Sequence, residues 1–198
     1  MSKSYKVGFE ITGVSALLMH WDNIEGADRL KAWRQDPENK NLSVPGDDRS
    51  PAWAWQNYLY TDGDHVIMPS DNVMSALMYG GSKIFLKGKK TYKELTQSAV
   101  YMPDEHLKFT FDDNKQLSMA EVEGLKALPF AKQAEACEKM GFRLFCKRAQ
   151  VGSKKHVRVR PRFNTWKVHG ELEVIGSDLP FETLALIFEY AGRGGLCD

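Results

Sequence analysis

An α+β fold is what this chain of 198 residues predicts, on three observations. Tyr5, Val7, Phe9 and Ile11 alternate with polar or small residues, the period of a half-buried strand. Val73, Met74, Leu77 and Met78 recur at helical spacing and form one apolar face. Two further alternating runs, His156–Arg162 and Trp166–Val174, read as a pair of late strands.

Taken in order, the first strand ends at Gly13. The stretch Val14–His20 is short and apolar, able to pair or pack beside it. Residues 21–64 differ in character. They hold Trp21, Trp33, Trp53 and Trp55 together with Pro37, Pro45, Gly46 and Pro51. They read as a Trp-rich insertion within a single domain spanning 1–198. Its Asp36–Ser50 portion is nearly devoid of apolar residues and reads as a mobile loop. The tryptophans anchor the insertion to the core, with stacking on bases or burial against another copy as the functional alternatives.

Val66, Ile67 and Met68 form a short apolar run before Pro69. Ser70 or Asp71 caps the following helix, and Gly80-Gly81 terminates it. The lysines 83, 87, 89, 90 and 93 follow on a loop or hairpin around Gly88. His106–Phe111 is a strand candidate, followed by an Asp112-Asp113-Asn114 turn. Ala120–Met140 is helix-forming but interrupted by Gly124 and Pro129. The last helix covers Leu179–Ala191, with Asp178 as cap and Pro180 in its first turn. Gly192-Arg193-Gly194-Gly195 follows, either a helix C-cap or a backbone cradle for phosphate.

Composition narrows the class. At 42% hydrophobic residues the chain can bury a sizeable core, and no apolar run is long enough to span a membrane. No signal peptide is evident, and the three cysteines, Cys137, Cys146 and Cys197, match no zinc or CxxC spacing. The expectation is a cytoplasmic protein with free thiols and neither metal nor cofactor.

Charge is the most informative feature. Lys139–Gly170 holds ten Lys and Arg residues and no Asp or Glu, although the net charge of the whole chain is only +1. Clustered cations repel one another unless an anion meets them, which points to nucleic acid. In a strand, period two places His156, Arg158, Arg160 and Arg162 on one face and Val157 and Val159 on the other. With Asn164-Thr165 as a turn, this strand and Trp166–Val174 read as an antiparallel hairpin. Lys147–Lys155 reads as a flexible basic loop before it.

Two phrases carry a resemblance. Met68-Pro69-Ser70-Asp71-Asn72-Val73-Met74-Ser75-Ala76-Leu77 and Gly192-Arg193-Gly194-Gly195-Leu196 are similar to the first-half helix start and the glycine-rich loop after the last helix of the RAMP superfamily of CRISPR-associated proteins. The resemblance is closest to Cas7-like backbone subunits. The chain also resembles small proteins of phages and mobile elements that share its TGVSALLMH, PSDN and VRVRPRFNTW phrases. The resemblance implies a modified ferredoxin-like (RRM-like) antiparallel sheet backed by helices with an inserted thumb or finger. It also implies RNA binding along sheet and loops, and head-to-tail assembly with copies of itself or other CRISPR-like subunits.

The leading functional expectation is sequence-tolerant binding of single-stranded RNA or DNA, without enzymatic activity. Arg158, Arg160 and Arg162 would contact phosphates, Lys147, Arg148, Lys154 and Lys155 would line the strand's path, and Lys87, Lys89 and Lys90 would extend it. His156 belongs to the same face, Arg193 to the glycine segment, and Trp166 or Phe163 would stack on a base. One alternative is a metal-independent endoribonuclease of the Cas6 type with His20 as general acid or base, and His156 and His169 behind it. Another is a phage-encoded protein that mimics or inhibits a CRISPR effector subunit.

Overall fold

The protein was analysed as a computed structural model describing residues 4–196. Strand β1 (Tyr5–Thr12) is followed by β2 (Leu17–Leu18), helix α1 (Ile24–Gln35), two short 3-10 turns at Pro37–Asn39 and Ala54–Tyr58, and β3 (Ile67–Pro69). Next come α2 (Ser70–Gly81), β4 (Phe85–Lys87), β5 (Lys90–Thr91), α3 (Lys93–Ala99), β6 (Val100–Tyr101) and β7 (His106–Phe111). The remainder is α4 (Met119–Glu123), α5 (Phe130–Met140), β8 (Arg143–Val151), β9 (Lys154–Phe163), β10 (Trp166–Val174) and α6 (Phe181–Gly194). The fold is α+β with antiparallel pairing, as the sequence predicts. Among the described residues no helix is long and apolar enough to cross a membrane.

The chain divides into two compact units, each built from separated segments. Residues 13–66, which include the Trp-rich stretch 21–64, share a unit with residues 110–166.

The first unit comprises, among the described residues, 4–12, 67–109 and 167–196. Its sheet runs β1-β10-β7-β3, with β6 also on β10. β1 and β10 pair antiparallel from Tyr5↔Val174 to Thr12↔Lys167. The odd residues of β1 form the half-buried face, and Phe9 meets Phe188 of α6 with ring centroids 5.5 Å apart. On the other face Glu10 pairs with Lys167 at 2.9 Å and His169 at 3.4 Å. Helix α2 ends at Gly81, as the Gly80-Gly81 pair predicts. Gly80 also lies where α6 crosses, and a Cβ there would collide with the Ile187 carbonyl oxygen, so close helix approach is a second reason for glycine. Neither Ser70 nor Asp71 caps α2; Pro69 holds the N-cap position without a side-chain bond. Pro180 likewise precedes α6. That helix continues through Gly192, Arg193 and Gly194, so these residues form helical backbone rather than a phosphate cradle.

The second unit comprises residues 13–66 and 110–166. Its sheet runs β2-β9-β8. β8 and β9 pair over nine residues, from Arg143↔Arg162 to Val151↔Lys154, and turn through Gly152 and Ser153. Two expectations are corrected here. The late hairpin is β8–β9, and β10 belongs to a different sheet. The basic Lys147–Lys155 segment is the end of this hairpin rather than a flexible loop, because each strand offers the other a full ladder of backbone partners. β2 pairs with β9 at Leu17↔Phe163, not with β1.

An aromatic cluster forms this unit's core. Phe142 stacks on Phe163 at 5.2 Å, Phe111 meets Phe163 edge-on at 5.1 Å, and Trp55 lies 6.0 Å from Phe142. Trp55 is fully buried, and its indole N–H donates to Gln133 Oε1 at 2.6 Å; Gln133 Nε2 donates to the Leu128 carbonyl at 2.8 Å. These bonds satisfy polar groups whose burial unpaired costs about 1–3 kcal/mol each. α1 is capped by Asn23, whose side chain accepts from Gly26 N. Asn57 then ties α1 down, donating to the Gly26 carbonyl and accepting from Arg29. α4 carries a capping box between Ser118 and Glu121. The interrupted 120–140 stretch is two helices, and Asp112, Asp113 and Asn114 turn the chain with positive φ. Cys197 lies outside the described residues.

Candidate nucleic-acid interface

The β8–β9 ladder fixes which basic side chains share a face. Directly opposed residues of an antiparallel pair point the same way. Lys154, His156, Arg158, Arg160 and Arg162 of β9 therefore share a face with Arg143, Phe145 and Lys147 of β8. The alternation of the β9 arginines expected from the sequence is present.

What the sequence did not reveal is an anion already on that face. Asp48 is 4% exposed. Its Oδ1 accepts from Arg158 Nη1 at 3.0 Å, and its Oδ2 accepts from Arg160 Nη1 at 3.0 Å and from the backbone N–H of Val159 at 3.2 Å. The Tyr58 hydroxyl donates to the same Oδ2 at 3.2 Å, and the Arg160 guanidinium stacks on the Tyr58 ring at 3.8 Å. Burial, then the Asp48 charge, raises the Tyr58 phenol above its usual range, so it remains a donor.

Backbone bonds hold Asp48 there. Val157 N–H donates to the Gly46 carbonyl at 2.8 Å and Asp48 N–H donates to the Val157 carbonyl at 3.0 Å. The Asp36–Ser50 segment is thus docked along β9 at its far end, not a free loop. Its lack of apolar residues is offset by ladder bonds and a buried ion pair. Gly46 permits the approach: it has φ +80°, and a Cβ there would stand 2.6 Å from His156 Nδ1. That buried nitrogen makes no hydrogen bond among the described residues. Next door, Asp47 and Arg49 pair at 2.6 Å, and the bond from Arg49 holds the Asp47 carboxyl below its usual range.

The middle of the face is therefore partly neutralised, by one carboxylate against two guanidiniums, and four further cations lie toward the turn. Lys147, Arg148, Lys154 and Lys155 are exposed and have no acidic partner among the described residues. Lys147 and Lys154 extend the arginine face, while Arg148 and Lys155 point to the opposite one. Arg162 is half-buried, donating to Asn164 Oδ1 at 3.1 Å, with its guanidinium 5.4 Å from the Phe145 ring.

Trp166 and Phe163 are core residues. Trp166 is 8% exposed and its indole N–H donates to the Ser15 carbonyl at 2.8 Å; Phe163 is fully buried. Neither offers a ring face to a base. His20 lies beside Tyr58 with ring centroids 5.4 Å apart. Partial burial and then the nearby Arg160 charge hold its imidazole below the usual histidine range.

Other expected site residues belong to the first unit. Lys87, Lys89 and Lys90 sit on the β4–β5 hairpin, and Arg193 pairs with Glu189 at 2.6 Å on α6. Asp48 and Tyr58 are the participants that sequence reasoning missed. Both lie more than a hundred residues from the arginines they bind, and no local spacing marks them. No family model, curated protein or solved structure matches the chain.

Proposed function

We propose that this protein binds single-stranded nucleic acid, RNA above all, through the cationic end of the β8–β9 hairpin, with little regard to sequence. The observation that carries the reading is the four exposed cations Lys147, Arg148, Lys154 and Lys155 on a hairpin whose lower arginines are held by Asp48. A charge-only surface contacts phosphates and leaves base edges unread, hence the tolerance of sequence. Arg158 and Arg160 brace the hairpin, and their phosphate contacts come second to the tip.

The same reading includes a modified ferredoxin-like, RAMP-type fold of the Cas7-like kind and assembly of copies along the strand. The chain order β1, α2, β7, β10, α6 and the sheet order β1-β10-β7 support it, being a β-α-β-β-α succession.

The test is a salt series with nuclease-treated protein on single-stranded RNA, single-stranded DNA and duplex DNA. Wild type binds single strands with a steep salt slope, and its stoichiometry rises with strand length. A variant with all four tip cations changed to Gln loses about 3 from that slope, at about 0.7 per phosphate contact. An unchanged slope refutes the assignment. Failure of wild type to bind, together with co-purification of a multi-subunit host complex, would turn the basic hairpin into a protein-docking element.

One arrangement favours a second reading, metal-independent RNA cleavage. His20 is held toward its neutral form beside Tyr58 and Arg160, which joins a base to a cation for a scissile phosphate. Cleavage in EDTA that disappears in His20→Ala would establish it.

A further inference from the structure

We infer that the β4–β5 hairpin is a second, separate single-strand contact, in which Phe85 stacks on a base while Lys87, Lys89 and Lys90 hold the flanking phosphates. The inference rests on the nucleic-acid reading above but concerns a different unit of the protein.

Three features of the hairpin support it. Lys87 lies directly opposite Lys90 in the register, and Lys89 sits between them beside Gly88 at φ +60°. Like charges facing each other across a strand pair destabilise it, and a two-stranded ribbon has little stability to spare. Six lysines elsewhere in the chain (6, 115, 126, 132, 139 and 167) meet carboxylates. Among the described residues Lys87, Lys89 and Lys90 meet none, and a polyanion laid along the hairpin would relieve their repulsion.

Phe85 is the second feature. It is 73% exposed, on the same short strand as Lys87. An exposed aromatic ring at one end of a row of cations is a pairing that sequence-tolerant single-strand binders use. The third is a cleft of about 490 Å³ beside the hairpin, lined by Leu86, Lys89, Lys90, Lys93, Glu94 and Leu95 among others. Its volume falls in the range of small-ligand sites. Leu86 lines this cleft and Phe85 does not, so the two apolar side chains are not gathered into one face. A membrane surface would reward a single apolar face. A flexible chain of alternating bases and phosphates suits separated apolar and cationic points better.

The experiment measures anisotropy of a labelled oligouridylate about 20 nucleotides long, long enough for several such contacts. It compares wild type, Phe85→Ala, the triple Lys87→Gln/Lys89→Gln/Lys90→Gln, and the four-cation tip variant. All these side chains are exposed, and circular dichroism checks that each variant is folded. We expect Phe85→Ala to bind about 5- to 150-fold more weakly with its salt slope nearly unchanged. The lysine triple loses about 2 from the slope. The tip variant keeps residual binding, which adding the lysine triple to it abolishes, and ultraviolet crosslinking followed by peptide mapping marks Phe85.

Wild-type affinity and slope in both hairpin variants, with all binding lost in the tip variant, overturn this inference and leave the tip assignment standing. Binding lost in the hairpin variants but retained in full by the tip variant supports this contact while refuting the tip. Phe85-dependent binding to phosphatidylserine vesicles, with no effect on oligouridylate, overturns it in favour of a membrane contact.

Discussion

Replacing Asp48 by Asn tests how the basic face is held together. The substitution keeps shape and one acceptor oxygen but removes the charge between Arg158 and Arg160. Arg160 has a side chain only 17% exposed, and Arg158 is 34% exposed. Losing one partner of a buried pair costs about 3–5 kcal/mol, since the other charge stays desolvated. The partial exposure of Arg158, together with the acceptor that Asn retains, places the expected loss near the lower end, about 3 kcal/mol. For a chain of this length that lowers the melting temperature by roughly 6–12 °C. All five tryptophans, at 21, 33, 53, 55 and 166, lie in the second unit, so tryptophan fluorescence during urea unfolding reports on that unit. A second readout separates this account from generic destabilisation. Folded Asp48→Asn protein has one more unneutralised positive charge on this face, so it binds single strands more tightly and with a steeper salt slope than wild type. A loss below about 0.5 kcal/mol, the scale of an ordinary surface change, would refute the role given to Asp48.

Three further outcomes are expected. Gln133→Leu strands the buried Trp55 indole N–H, costing about 1–3 kcal/mol in the same unfolding assay; a neutral result would mean the core repacks around it. Gly80→Ala drives a methyl into the backbone of α6 and costs about 1–3 kcal/mol, read from the thermal midpoint by far-ultraviolet circular dichroism. His20 titrates below 6.5 by NMR, and Arg160→Ala moves it back upward. Because its folded pKa is lowered, the unfolded chain binds its proton first as pH falls. His20 therefore leaves stability unchanged above about 6.5 and reduces it between 6.5 and its lowered value, a loss that His20→Gln removes.

The parts of the fold legible in the sequence are those set by local periodicity. β1, α2, β7 and α6 are each legible as elements, and the alternating residues of β1 form its half-buried face, whereas Phe181 of α6 is 56% exposed. Pairing was less legible. Asn164-Thr165 looks like a hairpin turn, yet β9 and β10 belong to different sheets. Period two says which face a residue occupies but not which strand lies beside it. Glycines were legible in part. Gly80-Gly81 does end α2, and Gly80 also serves close packing, whereas Gly192 lies within α6. The candidate site was half visible: alternation found the cationic face, but the carboxylate that neutralises its base comes from a segment chosen by tertiary contact alone.

That buried carboxylate changes what the basic window means. Ten cations without an acid in the same stretch suggest one continuous binding face, and the ladder does align most of the strand cations. Continuity in sequence is not continuity of available charge, however. Asp48 neutralises about one of the two guanidinium charges it bridges and fixes both in place, so a phosphate arriving there has to compete with a preorganised carboxylate that is already desolvated. At the hairpin end the cations meet no carboxylate among the described residues, and an incoming phosphate displaces no protein anion there. Binding free energy is therefore expected to rise from the base of the hairpin toward its tip, although the arginine side chains at the base are the better phosphate ligands. Alanine substitutions taken one at a time from Arg160 to Lys154 measure that gradient directly: equal losses of affinity along the strand would mean that Asp48 yields its arginines to the ligand, and losses concentrated at the tip would mean that it keeps them.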